Sequence, residues 1–191
     1  KKSYLKKHTL GLEKKSLVIY NGFELRKLPE KVLSNDGFFR IGIASRLENN
    51  KNLYFIIEVA KILLQEDKKY LFILVGDGNG KPMLEKLVQE YDIEKYFTFT
   101  GLLKDPYPAI KNFDLSIFPS KGLGEGLPAS VIEPLLMRIP VFAVKTDVTE
   151  EILSLGNGGE CIQEDPVLFA ERIKYLKNDY TAYYEKLDFS N

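Results

Sequence analysis

Two hydrophobic patterns alternate along the chain, and this alternation constrains the fold more than any other feature of the sequence. Short runs rich in β-branched and aromatic residues, such as residues 38–44 and 70–75, alternate with segments whose apolar residues recur at helical spacing. Such alternation is typical of βαβ units, in which helices join the strands of a parallel sheet. Several runs are apolar throughout, as expected of strands that are covered on both faces. The sequence therefore predicts an α/β fold with a doubly wound, Rossmann-like parallel sheet.

The element boundaries follow from the same patterns. Strands are predicted where β-branched and aromatic residues cluster, at residues 17–20, 38–44, 70–75, 97–100, 114–118, 140–144 and 159–162. Helices are predicted at residues 52–65, 81–91, 106–112, 127–137, 148–154 and 166–177, and in the tyrosine-rich tail to Asn191. No repeat or linker divides residues 17–191, which are predicted to form one domain. Residues 1–16 are predicted to be an N-terminal or interdomain segment.

Composition excludes several classes of protein. The chain has 27 Lys plus Arg and 27 Asp plus Glu, so no global field selects nucleic acid or an anionic membrane as partner. A single cysteine, Cys161, and a single histidine, His8, argue for a reducing compartment and against a Cys/His zinc site. The most apolar region, residues 131–144, is interrupted by charged residues and is shorter than the ~20 residues that a bilayer requires. We expect a cytoplasmic protein without a membrane span.

In doubly wound sheets, ligands bind beyond the carboxyl ends of the strands, so the loops there are candidate sites. Residues 120–136 read SKGLGEGLPASVIEPLL: a glycine-rich loop that enters a helix, with Pro128 suited to the first helical turn. Backbone N–H groups at such a helix start favour an anion. Glu125 and Glu133 flank this start; one could face a sugar and the other a ribose diol, because a carboxylate accepts two hydroxyl hydrogen bonds. The alternative for each is a solvated surface charge.

Basic residues follow a second strand of the predicted sheet. Arg46 and Lys51 lie in the loop SRLENNKN, directly before a predicted helix. Two cations at the carboxyl edge of a parallel sheet could each give a diphosphate a charge-assisted hydrogen bond. Surface charge without a ligand is the alternative role.

Two other patterns give no evidence for a dinucleotide or a metal site. The segment GDGNG at residues 76–80 differs in spacing from the GxGxxG dinucleotide motif and follows an internal strand, so it predicts a turn. No Asp-x-Asp pair occurs in the sequence, so a metal-bridged diphosphate has no obvious ligands and we expect no metal.

Taken in order, the motifs resemble those of one enzyme family. The set comprises VIYNGFE at residues 18–24, IASRLENNKN at 43–52, ILVGDGNG at 73–80, FTFTGLLKD at 97–105, DLSIFPSKGLGEG at 114–126, and Glu125-x7-Glu133 followed by Pro140-Val141. Residues 17–177 resemble the carboxy-terminal half of family 4 (group 1) retaining glycosyltransferases of the GT-B architecture.

The resemblance implies a site for a nucleotide-diphospho-sugar donor, with the acceptor bound by an amino-terminal domain that this sequence lacks. By position, Arg46 and Lys51 would neutralise the donor diphosphate, and Glu125 would contact the sugar hydroxyls. The backbone of residues 126–127, Gly126 and Leu127, would touch sugar or phosphate, and Glu133 would hold the ribose. The implied chemistry is sugar transfer with retention, without a cofactor or divalent metal.

The sequence departs from the family pattern at three places. Pro134 follows the second glutamate, inside the predicted helix, where it removes a backbone hydrogen bond. Arg138 stands where the family has glycine, at a left-handed helix cap that costs a non-glycine residue ~1 kcal/mol or more. Residues 146–151, TDVTEE, lack the family's glycine pair near the acceptor cleft.

We therefore predict the donor-binding domain of a cytoplasmic glycosyltransferase in cell-surface glycan synthesis, inactive without its acceptor domain and compatible with peripheral membrane association of the full-length protein. Three alternatives remain at this stage. A non-catalytic nucleotide- or sugar-phosphate-binding module would keep the fold without transfer. An NAD-dependent oxidoreductase would need a glycine fingerprint after the first strand, where NGFELRK stands instead. A sugar-nucleotide epimerase would interconvert free sugar nucleotides.

Overall fold

A computed structural model of the 191-residue chain describes residue 31 and residues 36–121 and 126–186. Within this part, six strands form one parallel sheet: β1 Phe39–Ala44, β2 Tyr70–Val75, β3 Phe97–Gly101, β4 Leu115–Phe118, β5 Val141–Val144 and β6 Gly159–Ile162. Each lies within a residue of its predicted bounds. The strand predicted at residues 17–20 falls outside the described residues. The predicted Rossmann-like α/β fold is confirmed.

The strand order defines where a ligand can bind. The sheet runs β3-β2-β1-β4-β5-β6, and every neighbouring pair is parallel. Chain order therefore reverses between β1 and β4, which pair through Ile41 with Leu115 and Gly42 with Ser116. Open α/β sheets bind ligands in the crevice beyond the carboxyl ends of the strands at such a switch point. The loops after β1 and β4 meet at this edge.

The helices lie where the apolar periodicity predicts them, within two residues at most of their starts. They are α1 Tyr54–Glu66, α2 Lys81–Glu90, α3 Tyr107–Ile110, α4 Ala129–Leu136, α5 Asp147–Leu153, α6 Pro166–Asn178 and α7 Tyr180–Lys186. The predicted tail helix corresponds to α7; residues 187–191 lie outside the described part of the chain.

Helices cover both faces of the sheet, in three layers. On one face, Ile41, Ile43 and Phe72 pack with the apolar sides of α1, α2 and α6, where the Phe55 and Phe169 rings meet edge to face at 4.9 Å. On the other face, α3, α4 and α5 pack on side chains of the opposite strand faces. Burial of this apolar area supplies most of the folding free energy, at roughly 25 cal/mol per Å².

A buried ion pair joins the amino edge of the sheet to α7. The Asp114 carboxylate accepts hydrogen bonds from Lys31 Nζ at 3.1 Å and from the Arg40 N–H at 2.8 Å. The Tyr180 hydroxyl donates to the Asp114 carbonyl at 2.9 Å. Burial lowers the pKa of Lys31, and the charge of Asp114 opposes that shift. These contacts lie at the edge opposite the switch point, so their role is structural.

The carboxyl end of α4 confirms the predicted left-handed cap. Arg138 has φ of +59° and donates its N–H to the Leu135 carbonyl at 2.9 Å, while the N–H of Ile139 reaches the Pro134 carbonyl at 2.9 Å. These two bonds form a Schellman motif, in which glycine is usual at the left-handed position. Arg138 therefore carries backbone strain that a glycine would lack.

Candidate functional site at the switch point

An open pocket lies between the loops that follow β1 and β4. Its lining includes Ser45, Lys51, Pro119, Ser120 and Ser130. These residues come from the loop after β1, the loop after β4 and the start of α4. The pocket thus occupies the crevice that the strand order predicts, with one cationic side chain and several hydroxyls in its wall.

The loop after β1, residues 45–53, is anchored at two buried leucines. Leu47 and Leu53 are 0% and 3% exposed, so both ends of the polar segment between them are fixed in the core. The segment closes in a 3-10 turn, Asn49–Lys51, in which the Lys51 N–H donates to the Glu48 carbonyl at 3.0 Å. Lys51 therefore projects from a short turn whose ends are fixed in the core.

The GDGNG segment after β2 supports this loop through backbone hydrogen bonds. The N–H of Leu47 donates to the Asp77 carbonyl at 2.8 Å, and the N–H of Gly80 donates to the Leu47 carbonyl at 2.7 Å. A Cβ atom on Gly76 would lie 2.0 Å from the Ser45 carbonyl oxygen, and one on Gly80 would lie 2.8 Å from that of Leu47. The glycines allow two backbones to touch. The predicted turn is confirmed, and its structural task is to support the Lys51 loop.

Asn52 connects three loops at the same edge. It adopts the left-handed conformation, with φ of +54°, which asparagine tolerates better than most residues. Its side-chain amide donates to the Pro119 carbonyl at 3.0 Å and to Glu164 Oε1 at 3.1 Å. Glu164 also pairs with Lys121 Nζ at 2.8 Å. The loops after β1, β4 and β6 are thereby tied together directly beside Lys51.

Arg46 differs from Lys51 in its surroundings. Its side chain is 73% exposed and pairs with Glu48 of the same loop at 2.5 Å. It does not belong to the pocket lining, whereas Lys51 does. The structure thus separates the two predicted phosphate-binding cations, and the role of each stays a prediction.

The start of α4 contributes Ser130 to the pocket lining. Gly126 is exposed, Leu127 is half-buried, and Pro128 lies at the N-cap rather than in the first turn, with its carbonyl accepting the Val131 N–H at 3.0 Å. The first N–H groups of a helix have no intrahelical acceptor, so those of Ala129 and Ser130 lie at this end. Glu125 falls outside the described residues, and its predicted role stays a prediction.

Glu133 has a partner that the sequence did not predict. Its Oε1 atom accepts a hydrogen bond from the Tyr107 hydroxyl of α3 at 3.1 Å, and both side chains are half-buried. Glu133 lies three residues after Ser130, and residues at this spacing are neighbours on one helix face. Pro134, inside α4, is buried. Glu133 therefore lies one step along the helix from a residue that lines the pocket, held by a tyrosine from the preceding helix.

The described residues contain neither a cluster of metal ligands nor a membrane-spanning helix. In residues 36–121 and 126–186, no three His, Cys, Asp or Glu side chains converge as a metal site would require, and metal independence stays a prediction. None of the helices in this part of the chain has the length and apolarity needed to cross a bilayer.

The strand order defines the chain as a Rossmann-like α/β domain, and its pocket lies at the switch point where such sheets bind ligands. Sequence comparison identifies the particular family: the sequence profile of the family described as glycosyl transferases group 1 matches residues 25–188. The chain belongs to this glycosyltransferase family, and the predicted resemblance is confirmed at that level.

Relatives and solved structures agree with this assignment. The chain is 30% identical over 152 residues to an uncharacterised glycosyltransferase of Methanocaldococcus jannaschii, covering 74% of this chain and 37% of the relative. It is 28% identical over 103 residues to the poly(ribitol-phosphate) alpha-N-acetylglucosaminyltransferase of Staphylococcus aureus, covering 54% of this chain and 20% of that enzyme. It thus spans well under half the length of these relatives. The fold matches Anabaena HepE, solved with UDP and glucose, with a TM-score of 0.79 at 21% identity over 96% of this chain and 52% of HepE.

Proposed function

We propose that this domain binds the donor of a glycosyltransferase that moves a sugar from a nucleotide diphosphate to an acceptor, with retention of anomeric configuration. One observation carries the proposal: in a chain of this family, Lys51 and Ser130, at the start of α4, line the same pocket at the switch point. A diphosphate between them would meet a cation on one side and helix N–H groups on the other.

Each residue has a distinct part in this proposal. The bond between the anomeric carbon and the diphosphate oxygen breaks and the electron pair stays on the diphosphate. The acceptor hydroxyl oxygen forms the new glycosidic bond on the same face of the sugar, and its proton passes to the departing diphosphate oxygen. Lys51 stabilises the charge that grows on the leaving diphosphate. Arg46 assists by exchanging its Glu48 partner for phosphate. Glu125 and the backbone of residues 126–127 hold the sugar, while Glu133 holds the ribose diol. No metal takes part.

The names of relatives support a place in cell-surface glycan synthesis. One acts on poly(ribitol-phosphate), and another, from Acholeplasma laidlawii, is an alpha-monoglucosyldiacylglycerol synthase that is 23% identical over 160 residues. Family membership favours an enzyme domain over the non-catalytic module. We propose a cytoplasmic location, because nucleotide sugars are the donors, and peripheral contact of the full-length protein with a membrane. An amino-terminal domain would supply the acceptor site, so the isolated domain should not transfer sugar.

Isothermal titration with UDP, GDP and ADP, with magnesium or with EDTA, tests the proposal. We expect one nucleotide to bind selectively and equally well in EDTA. Lys51→Ala should weaken diphosphate binding roughly 10- to 150-fold, the value of one charge-assisted hydrogen bond, and leave binding of the nucleoside unchanged. Lys86→Ala, at a 72% exposed lysine of α2, is the matched control and should change neither.

Equal losses of diphosphate and nucleoside affinity in Lys51→Ala would contradict the phosphate role. Failure of a folded chain to bind any of the three nucleotides would count against donor binding by this domain. In the full-length protein, Glu125→Ala should abolish sugar transfer. Intact transfer would favour the alternative, a non-catalytic nucleotide- or sugar-phosphate-binding module.

A further inference from the structure

The hydrogen bond between Tyr107 and Glu133 links two helices that are separate in sequence. The Tyr107 hydroxyl donates to Glu133 Oε1 at 3.1 Å, across the junction of α3 and α4. We infer that Tyr107 is a positioning residue, which holds the Glu133 carboxylate in the orientation that receives the ribose diol. This inference rests on the proposed function, since it assigns a further residue to the same nucleotide site.

Tyr107 is well suited to hold another side chain. Its backbone lies between Pro106 and Pro108, and its N–H donates to Asp105 Oδ1 at 3.1 Å, so the start of α3 is fixed locally. The ring packs half-buried against the apolar cluster that includes Phe113. A tyrosine loses few rotamers when it is fixed, because only two side-chain torsions are involved. Its hydroxyl thus has a defined position at the surface of that cluster.

Glu133 gains from this partner. A glutamate on a half-buried helix face has many rotamers, and fixing it in one of them costs side-chain entropy. The tyrosine hydrogen bond orders the carboxylate in advance. It uses one acceptor site of Oε1, and an ionised carboxylate has roughly four, so two ribose hydroxyls can still donate to it. Preorganisation of this kind raises affinity without adding a contact to the ligand.

The position of Glu133 points toward the nucleotide site rather than to a purely structural bond. Ser130, which lines the pocket, lies three residues earlier on the same helix face. Glu133 itself lies outside the pocket lining, so ordering Glu133 orders a carboxylate one helical turn beyond Ser130. A tyrosine that only joined two helices would not change how the site discriminates between a ribonucleotide and a deoxyribonucleotide.

The ratio of affinities for UDP and 2′-deoxy-UDP tests the inference, with the GDP and ADP pairs titrated in parallel. The wild-type chain should prefer the ribonucleotide about 10-fold or more, because the 2′-hydroxyl donates to a charged group. Glu133→Gln should remove most of this preference. Tyr107→Phe should reduce it to about 3-fold, mainly through weaker ribonucleotide binding, with deoxyribonucleotide affinity nearly unchanged.

A matched control exists elsewhere in the fold. The Tyr183 hydroxyl donates to Glu160 Oε1 at 2.8 Å, and its ring is also half-buried. Tyr183→Phe removes a bond of the same chemistry and should lower the melting temperature to a similar extent, with the affinity ratio unchanged. A ratio that falls equally in both variants would mean a general effect of stability and would overturn the inference.

Different results would contradict the ribose role of Glu133 and the positioning role of Tyr107. If the wild-type chain and Glu133→Gln both bind the two nucleotides alike, the ribose role of Glu133 is wrong, and the inference falls with it. If Glu133→Gln loses the preference and Tyr107→Phe keeps that of the wild type, the proposed function stands and the role of Tyr107 alone is overturned.

Discussion

Replacing Gly76 with alanine tests whether the GDGNG segment supports the pocket through backbone contact. Gly76 has φ of +134°, and a Cβ atom there would lie 2.0 Å from the carbonyl oxygen of Ser45, a residue of the pocket lining. Alanine at this φ costs about 1–3 kcal/mol in backbone strain. Overpacking adds roughly 1–3 kcal/mol, because the Ser45 backbone must move away. The sum, about 2–6 kcal/mol, is a large share of a stability of roughly 5–15 kcal/mol.

The assay is urea or thermal unfolding of Gly76→Ala beside Gly101→Ala. Gly101 also has positive φ, +68°, but a Cβ atom there would meet no atom within 4 Å. Both variants lose the same unfolded-state entropy, so their difference contains only the clash, about 1–3 kcal/mol, and the extra strain of alanine at φ +134° over that at +68°. Both contributions make Gly76→Ala the less stable variant. For a domain of this size each kcal/mol shifts the melting temperature by about 2–4 °C. If the unfolding free energies of Gly76→Ala and Gly101→Ala agree within about 0.5 kcal/mol, the close backbone contact at Gly76 does not support the pocket.

Two further predictions concern stability alone. Arg138→Gly should stabilise the domain by about 0.5–1 kcal/mol in urea unfolding. The glycine removes the left-handed backbone strain at the α4 cap, and the greater entropy of glycine in the unfolded chain cancels part of this gain. Arg138→Ala keeps the strain and should not stabilise the domain. The hydrogen bond from Lys177 lowers the pKa of Asp67 below its ordinary value, so the pair contributes its full stability above that ordinary value and loses it as the pH falls through the lowered pKa. Asp67→Asn should therefore cost up to about 1 kcal/mol at pH 6 and less at pH 3, measured by chemical unfolding; an equal cost at both values would contradict the ionic origin.

Periodicity predicts this fold well, because burial on both faces of a parallel sheet leaves apolar strands that are recognisable without any partner. Boundaries depend on single backbone conformations that periodicity does not contain. Helix α1 was predicted from residue 52 but begins at Tyr54, because Asn52 takes the left-handed conformation. Helix α4 was predicted from residue 127 but begins at Ala129, because Pro128 keeps an extended ψ of 114° at the N-cap.

The site was predicted only as far as local sequence determines it. A cation in the loop between a strand end and the next helix predicts Lys51 in the pocket, and the structure places it there. The same rule predicts Arg46, yet the loop turns this side chain toward Glu48 and solvent. Neither Asn52 nor Tyr107 carried a signal, because their partners come from other loops and helices, and only the packing of the sheet brings them together.

The pocket is therefore a property of linked loops rather than of one motif. Backbone bonds join the loop after β1 to that after β2, and Asn52 joins the former to the loops after β4 and β6. Because Lys51 adjoins this junction, a substitution that never touches a ligand can still move the cation that we propose binds the diphosphate. Conversely, the glycines of GDGNG, which elsewhere would suggest direct phosphate contact, act here through the loop that they support. Loss of nucleotide affinity after a glycine substitution must therefore be compared with loss of stability before any contact with the ligand is inferred.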